Sequence, residues 1–518
     1  MSNRTSAKNT AGGTGLSSKG LKGGQVGLIG AVVIGISCIA PAYTLTSGLG
    51  PTVSEVGVQL PAIFLVGFIP MILVALGYRE LNNAMPDSGT SFTWATRAFG
   101  PWVGWMGGWG LIAATIIVLS NLAAVAVDFF YLMLAQVTGN DSLADLTLNL
   151  PLNIATTLVF VAIACWISYR GVETTKTVQY VLVAFQLIVL TWFSIAAFAH
   201  VAGGTAFDAT QISWDWFNPF AVESFSAFAA GVSLSIFVYW GWDVTLTMNE
   251  ETRDPDKTPG RAATATVFVI VLIYMMIALA VISYAGVGDG ELGAGNPENQ
   301  ESIFAVLATP VMGPFAILMS LSILSSSAAS LQSTFVSPAR TLLAMGHYRA
   351  LPKRFGRISP AYKSPGYATV AAAIAASAFY VVTRLLSENA LWDTITALGL
   401  MICFYYGITA LACVWYFRRD AFESVRSFLL KFLAPALGGI ILFIMFIKTA
   451  FDSMDPDYGS GSSVGGVGLV FVLGMGVIIL GAVLMLVMYR INPGFFRGET
   501  LRTGDSRSAA EAERSAVL

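Results

Sequence analysis

The sequence predicts an all-α membrane fold of twelve transmembrane helices, and three observations predict it. The 518-residue chain is 55% apolar and only 11% charged, a balance that soluble domains do not carry. Its apolar residues gather into twelve runs, each near the roughly 20 residues that cross about 30 Å of hydrocarbon. All but two of its 28 lysines and arginines fall in alternate connecting segments, which makes that face the cytoplasmic one. The two exceptions, Arg384 and Lys448, stand at the outer ends of spans. Such sorting needs an even number of crossings of the cell membrane, with both termini in the cytoplasm.

In order, the predicted spans of the first half are residues 26–49, 61–78, 102–135, 152–169, 178–198 and 225–248. Those of the second half are 262–284, 312–345, 367–382, 394–417, 432–447 and 467–489. The first run is too long, and followed by too many others, to be a cleaved signal peptide. Spans nine and ten lie close together, and the charge alternation counts them separately. Residues 1–25 are expected to form a disordered cytoplasmic tail and 491–518 a second cytoplasmic tail, disordered from residue 502 on.

Several function classes are disfavoured by composition alone. A net charge of −2, with basic residues spread by loop, argues against a nucleic-acid partner. Cys38, Cys165, Cys403 and Cys413 sit in apolar runs without CxxC spacing and read as packing residues, and His200 and His347 cannot build a metal cluster. No GxxxxGK[ST] sequence is present, against an ATP-driven pump. Nor do the spans carry the paired His, Asp or Glu groups of a membrane-embedded enzyme. The chemistry calls for no cofactor, and the partners expected are the lipid bilayer and a small solute. Nothing in the sequence sets the oligomeric state.

Two spans are interrupted. Span one contains "IGISCIAPAYTL" and span six contains "FVYWGWDVTLTMNEE", and the two disruptions, at Ala40 and Gly241, are five spans apart and enter from opposite faces. This is the pattern of two five-helix repeats inserted in opposite senses, residues 26–200 and 201–417, followed by helices eleven and twelve in 418–490. Unwinding a helix at mid-membrane frees backbone N–H and C=O groups that lipid cannot satisfy and a polar ligand can. The amides that begin one half-helix attract a carboxylate, and the carbonyls that end the other attract an ammonium group or metal cation. The blander account is that Pro41 only kinks span one and that glycines serve close packing, as "WVGWMGGWGLIAA" of span three does. Two breaks at repeat-related positions favour the first account.

Four segments, "FVYWGWDVTLTMNEETRDPDKTP", "YRELNNAMPDSGTSFTWATRAFGP", "RGVETTKTVQYVLVAFQ" and "ARTLLAMGHYRALP", together resemble the amino acid–polyamine–organocation superfamily of secondary transporters. The first looks like that family's sixth helix, and the second is similar to its segment between helices two and three. The third resembles the start of helix five, and the fourth the cytoplasmic end of helix eight. The resemblance implies the bacterial leucine-transporter fold, with an amino acid moved by alternating access and held between the breaks. The family's glycine-serine-glycine break falls here on Ile39, Ala40 and Pro41. Since proline has no N–H, the carboxylate would be met by neighbouring amides such as those of Ala40 and Ala42. Ser37 and Tyr43 add donors nearby.

In helix six the resemblance puts Tyr239 at an aromatic position that closes over substrate, with Trp240 and Gly241 beside it. Asp243 falls on an acidic gating or proton-linked position, and an ionisable group inside a span is costly and usually faces a cavity. Ile112 and Ala113 of span three are neutral pocket neighbours. Gln186 stands where proton-coupled relatives often carry lysine, and Ser325, Ser326 and Ser327 of span eight supply hydroxyls of the kind that hold sodium. Proton coupling, sodium symport and exchange stand as alternatives, with H+ or Na+ as the coupling ion. Asp128 and Glu223 read as solvated interfacial acids, and "NEETRDPDKTP" as a solvated turn with Arg253 or Glu251 as a candidate inner gate. The neutral pocket favours a neutral or aromatic amino acid. A polyamine or organic-amine exchanger and a potassium permease are the alternatives.

Overall fold

The computed structural model describes residues 19–171, 176–300, 302–387 and 390–504. Val172 to Thr175 of the helix-five motif, residues 1–18 and residues 505–518 lie outside the described residues. Ten apolar helical stretches are long enough to cross a membrane. One of them, Leu28–Ala84, holds two helical crossings, and the shorter helix Phe225–Val238 adds another, so the described residues make the twelve expected spans.

Span one is two helices, Leu28–Ile39 and Pro41–Val56, joined at Ala40. Span two is Leu60–Ala84, span three Pro101–Thr138, span four Leu150–Tyr169 and span five Lys176–Ala202. Span six is also split, into Phe225–Val238 and the short Val244–Thr247, and span seven is Thr258–Ala285. Span eight is Ala316–Thr334 running on into Val336–His347, span nine Gly366–Leu386 and span ten Ala390–Tyr416. Spans eleven and twelve are Ala434–Asp452 and Leu469–Ile491. The one paired strand segment among the described residues is a two-residue hairpin, Ser463–Val464 with Val467–Gly468.

Repeat-related helices pack on one another: span two runs along span seven, and span three along span eight. That pairing is what two inverted five-helix units interleaved about one axis require. The core lies along spans one, three, six, eight and ten, while spans four and twelve expose most of their length. Outward side chains are apolar on these two spans, as at Trp166 and Leu486, and also on spans five, nine and eleven, as at Ile188, Ile374 and Ile444, which is stable only against lipid. The glycines of span three do what close packing asks. Gly104 lies on Thr96 and Gly108 on Phe92, both from the short helix Ser91–Phe99.

One expectation is corrected. The tail does not run free to residue 25: Lys19 is buried, Gln25 N–H donates to the Glu251 carbonyl at 2.7 Å, and Val26 bridges Thr252.

Candidate functional site

Helix one stops because Ala40 adopts a left-handed conformation (φ 56°, ψ 69°), and Pro41, with its fixed φ and no N–H, opens the next helix. The amides of Ala42 and Tyr43 begin that helix, where no intrahelical acceptor exists for them. In helix six, regular structure ends at Val238, and Gly241 (φ 114°) turns the chain before Val244. The two breaks touch. A β-carbon on Gly241 would sit 3.1 Å from both the Cys38 carbonyl carbon and the Ile39 nitrogen. The two interruptions, read in the sequence at Ala40 and Gly241, therefore lie against each other.

Tyr274 of span seven ties the breaks together, and sequence reasoning missed it. Its hydroxyl donates to the Val238 carbonyl at 2.7 Å and lies 2.6 Å from the Thr44 hydroxyl. Thr44 in turn donates to the Ala40 carbonyl at 3.1 Å. A lone tyrosine in "VLIYMM" carries no sequence signal for that role.

The aromatics divide differently from expectation. Tyr43 meets Phe237 edge-on, with centroids 6.4 Å apart. Tyr239 is fully buried against Phe68 of span two and Tyr274, so Phe237 rather than Tyr239 is the helix-six aromatic beside the helix-one break. Trp240 donates from its indole to the Tyr405 hydroxyl at 2.5 Å, and Tyr405 donates to Asp243 at 3.2 Å. Asp243 is thus buried beside tyrosines of span ten. Around it, Trp242 packs on Tyr78 at 5.1 Å and on Tyr406 at 5.0 Å. Ile112 and Ala113 are buried in the same core as Ala40, Tyr43 and Tyr239.

The hydroxyls of span eight also sort in an unexpected way. Ser325 is half-buried and donates to the Ser322 carbonyl of its own helix at 3.0 Å, because residues one apart on a helix point about 100° apart. Ser326 donates to Gln186 at 2.5 Å. The hydroxyl that reaches a helix-one carbonyl is Ser330, which donates to Cys38 at 2.8 Å. Ser37 donates to Gln179 of span five, and Gln179 donates to Gln332 at 2.7 Å. Ser330 and Gln179, not Ser325, therefore join spans one, five and eight.

The segment expected to be a solvated turn is instead a seal. Glu251 takes a two-pronged ion pair from Arg340, at 2.9 and 3.0 Å, and both are buried. Lys19 bridges Asp87 at 2.8 Å and Glu250 at 2.5 Å, and the Tyr348 hydroxyl donates to Asp87 at 2.7 Å. Burial works to raise the Asp87 carboxyl, but the Lys19 ammonium and the donors from Gly89 and Tyr348 hold it down at about 2. For Lys19, burial works to lower the ammonium, and Asp87 and Glu250 outweigh it and raise it above its ordinary 10.5. Sequence reasoning had Glu251 as a gate candidate and missed its partner, Arg340. Arg253 contributes its backbone N–H, to the Val26 carbonyl at 2.8 Å.

The solved structure of MhsT in complex with L-phenylalanine is similar in fold, with a TM-score of 0.53 over 79% of this chain and 98% of that chain, at 15% identity. The methylthioribose transporter of Bacillus subtilis (strain 168) is 24% identical over 220 residues, 40% of this chain. The matched region spans 44% of that relative, under half its length. The family described as amino acid permease matches residues 26–472. With the broken helices, the repeat packing and that match in hand, the chain belongs to the amino acid permease family and has the bacterial leucine-transporter fold.

Proposed function

We propose that this protein is a secondary transporter that moves a small neutral amino acid across the cell membrane by alternating access. The observation that carries the reading is the contact of the two breaks, with the free amides of Ala42 and Tyr43 set near the carbonyl end of the Leu28–Ile39 helix. Amide ends suit a carboxylate and carbonyl ends suit an ammonium group. Tyr43 and Phe237 offer apolar area to the side chain, and Tyr239 shapes the pocket from behind. Supporting alternation, the Lys19 and Arg340 ion pairs close the side that carries the N-terminus, which the lysine and arginine sorting makes cytoplasmic.

Protons are the proposed coupling ion. Asp243 supports this reading, because it sets a titratable carboxylate inside the bundle, bonded to a hydroxyl that also meets the Trp240 indole. A second reading, transport of an organic amine, is favoured by one observation: the aromatic rings of Tyr78, Trp242 and Tyr406 beside the Asp243 carboxylate suit an ammonium ion.

Uptake by purified protein in liposomes tests both. The panel is the neutral and charged amino acids, putrescine, methylthioribose and potassium, with proton and sodium gradients imposed separately. Saturable uptake and counterflow of a neutral amino acid under a proton gradient supports the reading. Flux of putrescine or potassium alone refutes it.

A further inference from the structure

Spans four and nine leave between them an apolar groove of about 690 Å³ that opens on the lipid-facing side of the bundle. Its walls follow from the sequence. Leu158, Ala162, Cys165 and Tyr169 succeed one another at steps of three or four residues along span four, as Val370 and Ile374 do along span nine, so each helix turns one face to the groove. The small side chain of Ala162 leaves it open, and Trp166 and Ile374, both more than half exposed, stand at its edge.

Tyr169 and Val370 mark the end of the groove on the face that lysine and arginine sorting makes cytoplasmic. Protein closes that end: the Ser364 hydroxyl donates to the Tyr169 carbonyl at 2.5 Å, and the Tyr169 ring lies so close to Gly366 that a β-carbon there would not fit. From Leu158 to Tyr169 span four rises roughly 17 Å at about 1.5 Å per residue, a little over half of the ~30 Å of hydrocarbon. The groove therefore has the length of one leaflet, which suits an acyl chain and is too short for a membrane-spanning helix.

A cation stands at the same end. The Arg170 guanidinium lies 3.9 Å from the centre of the Trp166 ring, which joins the charge to the edge of the groove. Arg170 is exposed, and no carboxylate among the described residues pairs with it. Lys363 brings a second exposed cation to this neighbourhood, since the carbonyl of the preceding Tyr362 lies 3.5 Å from where a β-carbon on Gly171 would be.

We infer that the groove binds an anionic phospholipid of the cytoplasmic leaflet, with one acyl chain along spans four and nine and the headgroup phosphate on Arg170. A guanidinium matches phosphate with two parallel N–H donors, and basic pockets between membrane helices on the cytoplasmic side hold anionic headgroups. A second copy of this chain is the poorer occupant. A two-fold contact through this face would set Arg170 and Lys363 against their own counterparts, and like charges so placed oppose association.

The test uses the full-length protein in phosphatidylcholine liposomes, into which phosphatidylglycerol or phosphatidylcholine with brominated acyl chains is titrated. Bromine quenches tryptophan emission on contact, and subtracting the emission of Trp166→Phe isolates this residue from the rest of the 12 tryptophans. Each reading is referred to the unbrominated lipid of the same headgroup, which cancels any change in emission that a variant causes. Brominated phosphatidylglycerol is expected to quench Trp166 at about tenfold lower mole fraction than brominated phosphatidylcholine, the worth of one charge-assisted contact. Arg170→Gln is expected to remove that preference and Arg170→Lys to keep most of it. Ala162→Phe, which fills the groove from its exposed side and leaves the bundle's packing alone, is expected to remove it with Arg170 still in place. Equal quenching by the two lipids overturns the inference and leaves an ordinary lipid-facing surface. A preference that survives Ala162→Phe also overturns it, because the headgroup then binds without the groove, and one that survives Arg170→Gln does so by placing the phosphate elsewhere. No quenching by either lipid means that protein covers the groove, and counts against it as well.

Discussion

Gly241 lies against the peptide between Cys38 and Ile39, so closely that at this point backbone meets backbone. A side chain at this point would meet both a backbone conformation (φ 114°) that L residues rarely adopt and a neighbour that cannot give way. Gly241→Ala is therefore expected to cost about 1–3 kcal/mol and to separate the breaks. A lowered thermal midpoint with substrate affinity reduced tenfold or more, by about 1.4 kcal/mol, is the expected result. Unchanged affinity would show that the contact does not shape the pocket.

Tyr405 is expected to control the pH profile of transport more than substrate affinity. Its hydroxyl accepts from Trp240 and donates to Asp243, so Tyr405→Phe leaves both partners unmet, at about 1–3 kcal/mol. Asp243→Asn removes the titration altogether while keeping the shape. Uptake measured from pH 5 to 8 should shift in the first variant and become pH-independent in the second. Wild-type profiles in both would make Asp243 a structural residue.

Replacing sodium by choline is expected to leave uptake unchanged, and Ser330→Ala is expected to alter rate without creating or removing any ion dependence. If uptake instead collapses in choline, span eight is the coupling site and Asp243 is not.

The Lys19 seal has a defined pH behaviour. A carboxyl held below its ordinary 3.8 stabilises the closed form above that value, and the stabilisation is lost as pH falls through about 2. An ammonium raised above its ordinary 10.5 contributes fully below that value and loses its contribution only as pH rises through its higher folded value. The contributions of Asp87 and Lys19 should thus be level from roughly pH 5 to 9, and that of Asp87 should weaken in strong acid. Lys19→Ala, which strands Asp87 and Glu250, should destabilise it by about 3 kcal/mol. The measurable sign is faster maleimide labelling of Cys38, which is buried near the end of the first half-helix in the wild type. Labelling no faster than wild type would mean that Arg340 and Glu251 hold the seal by themselves.

The architecture was legible because hydrophobic length and lysine sorting act along the chain and need no knowledge of contacts. The breaks at Ala40 and Gly241 were legible because proline and glycine declare themselves locally. What could not be read was which face each polar residue presents. Ser325 and Ser326 are neighbours in sequence and point to different surroundings, and Phe237 rather than Tyr239 lies against Tyr43. Tyr274, Tyr405 and Ser330 acquire their roles from helices that are distant in sequence. The seal was hidden for the same reason: Arg340 and Glu251 are 89 residues apart, and "NEETRDPDKTP" by itself has the composition of a solvated loop.

Lys19 meets Glu250 across 231 residues of chain, and this separation orders events during synthesis. The lysine is made first, and its nearer partner, Asp87, emerges 68 residues later. Glu250 follows only after six spans have been translated, and Arg340, with Tyr348, comes with the eighth. While the early helices are being inserted, then, the seal lacks its later members. A half-made chain has no finished barrier on the side of its own N-terminus, and acquires one only when the second repeat arrives to supply it.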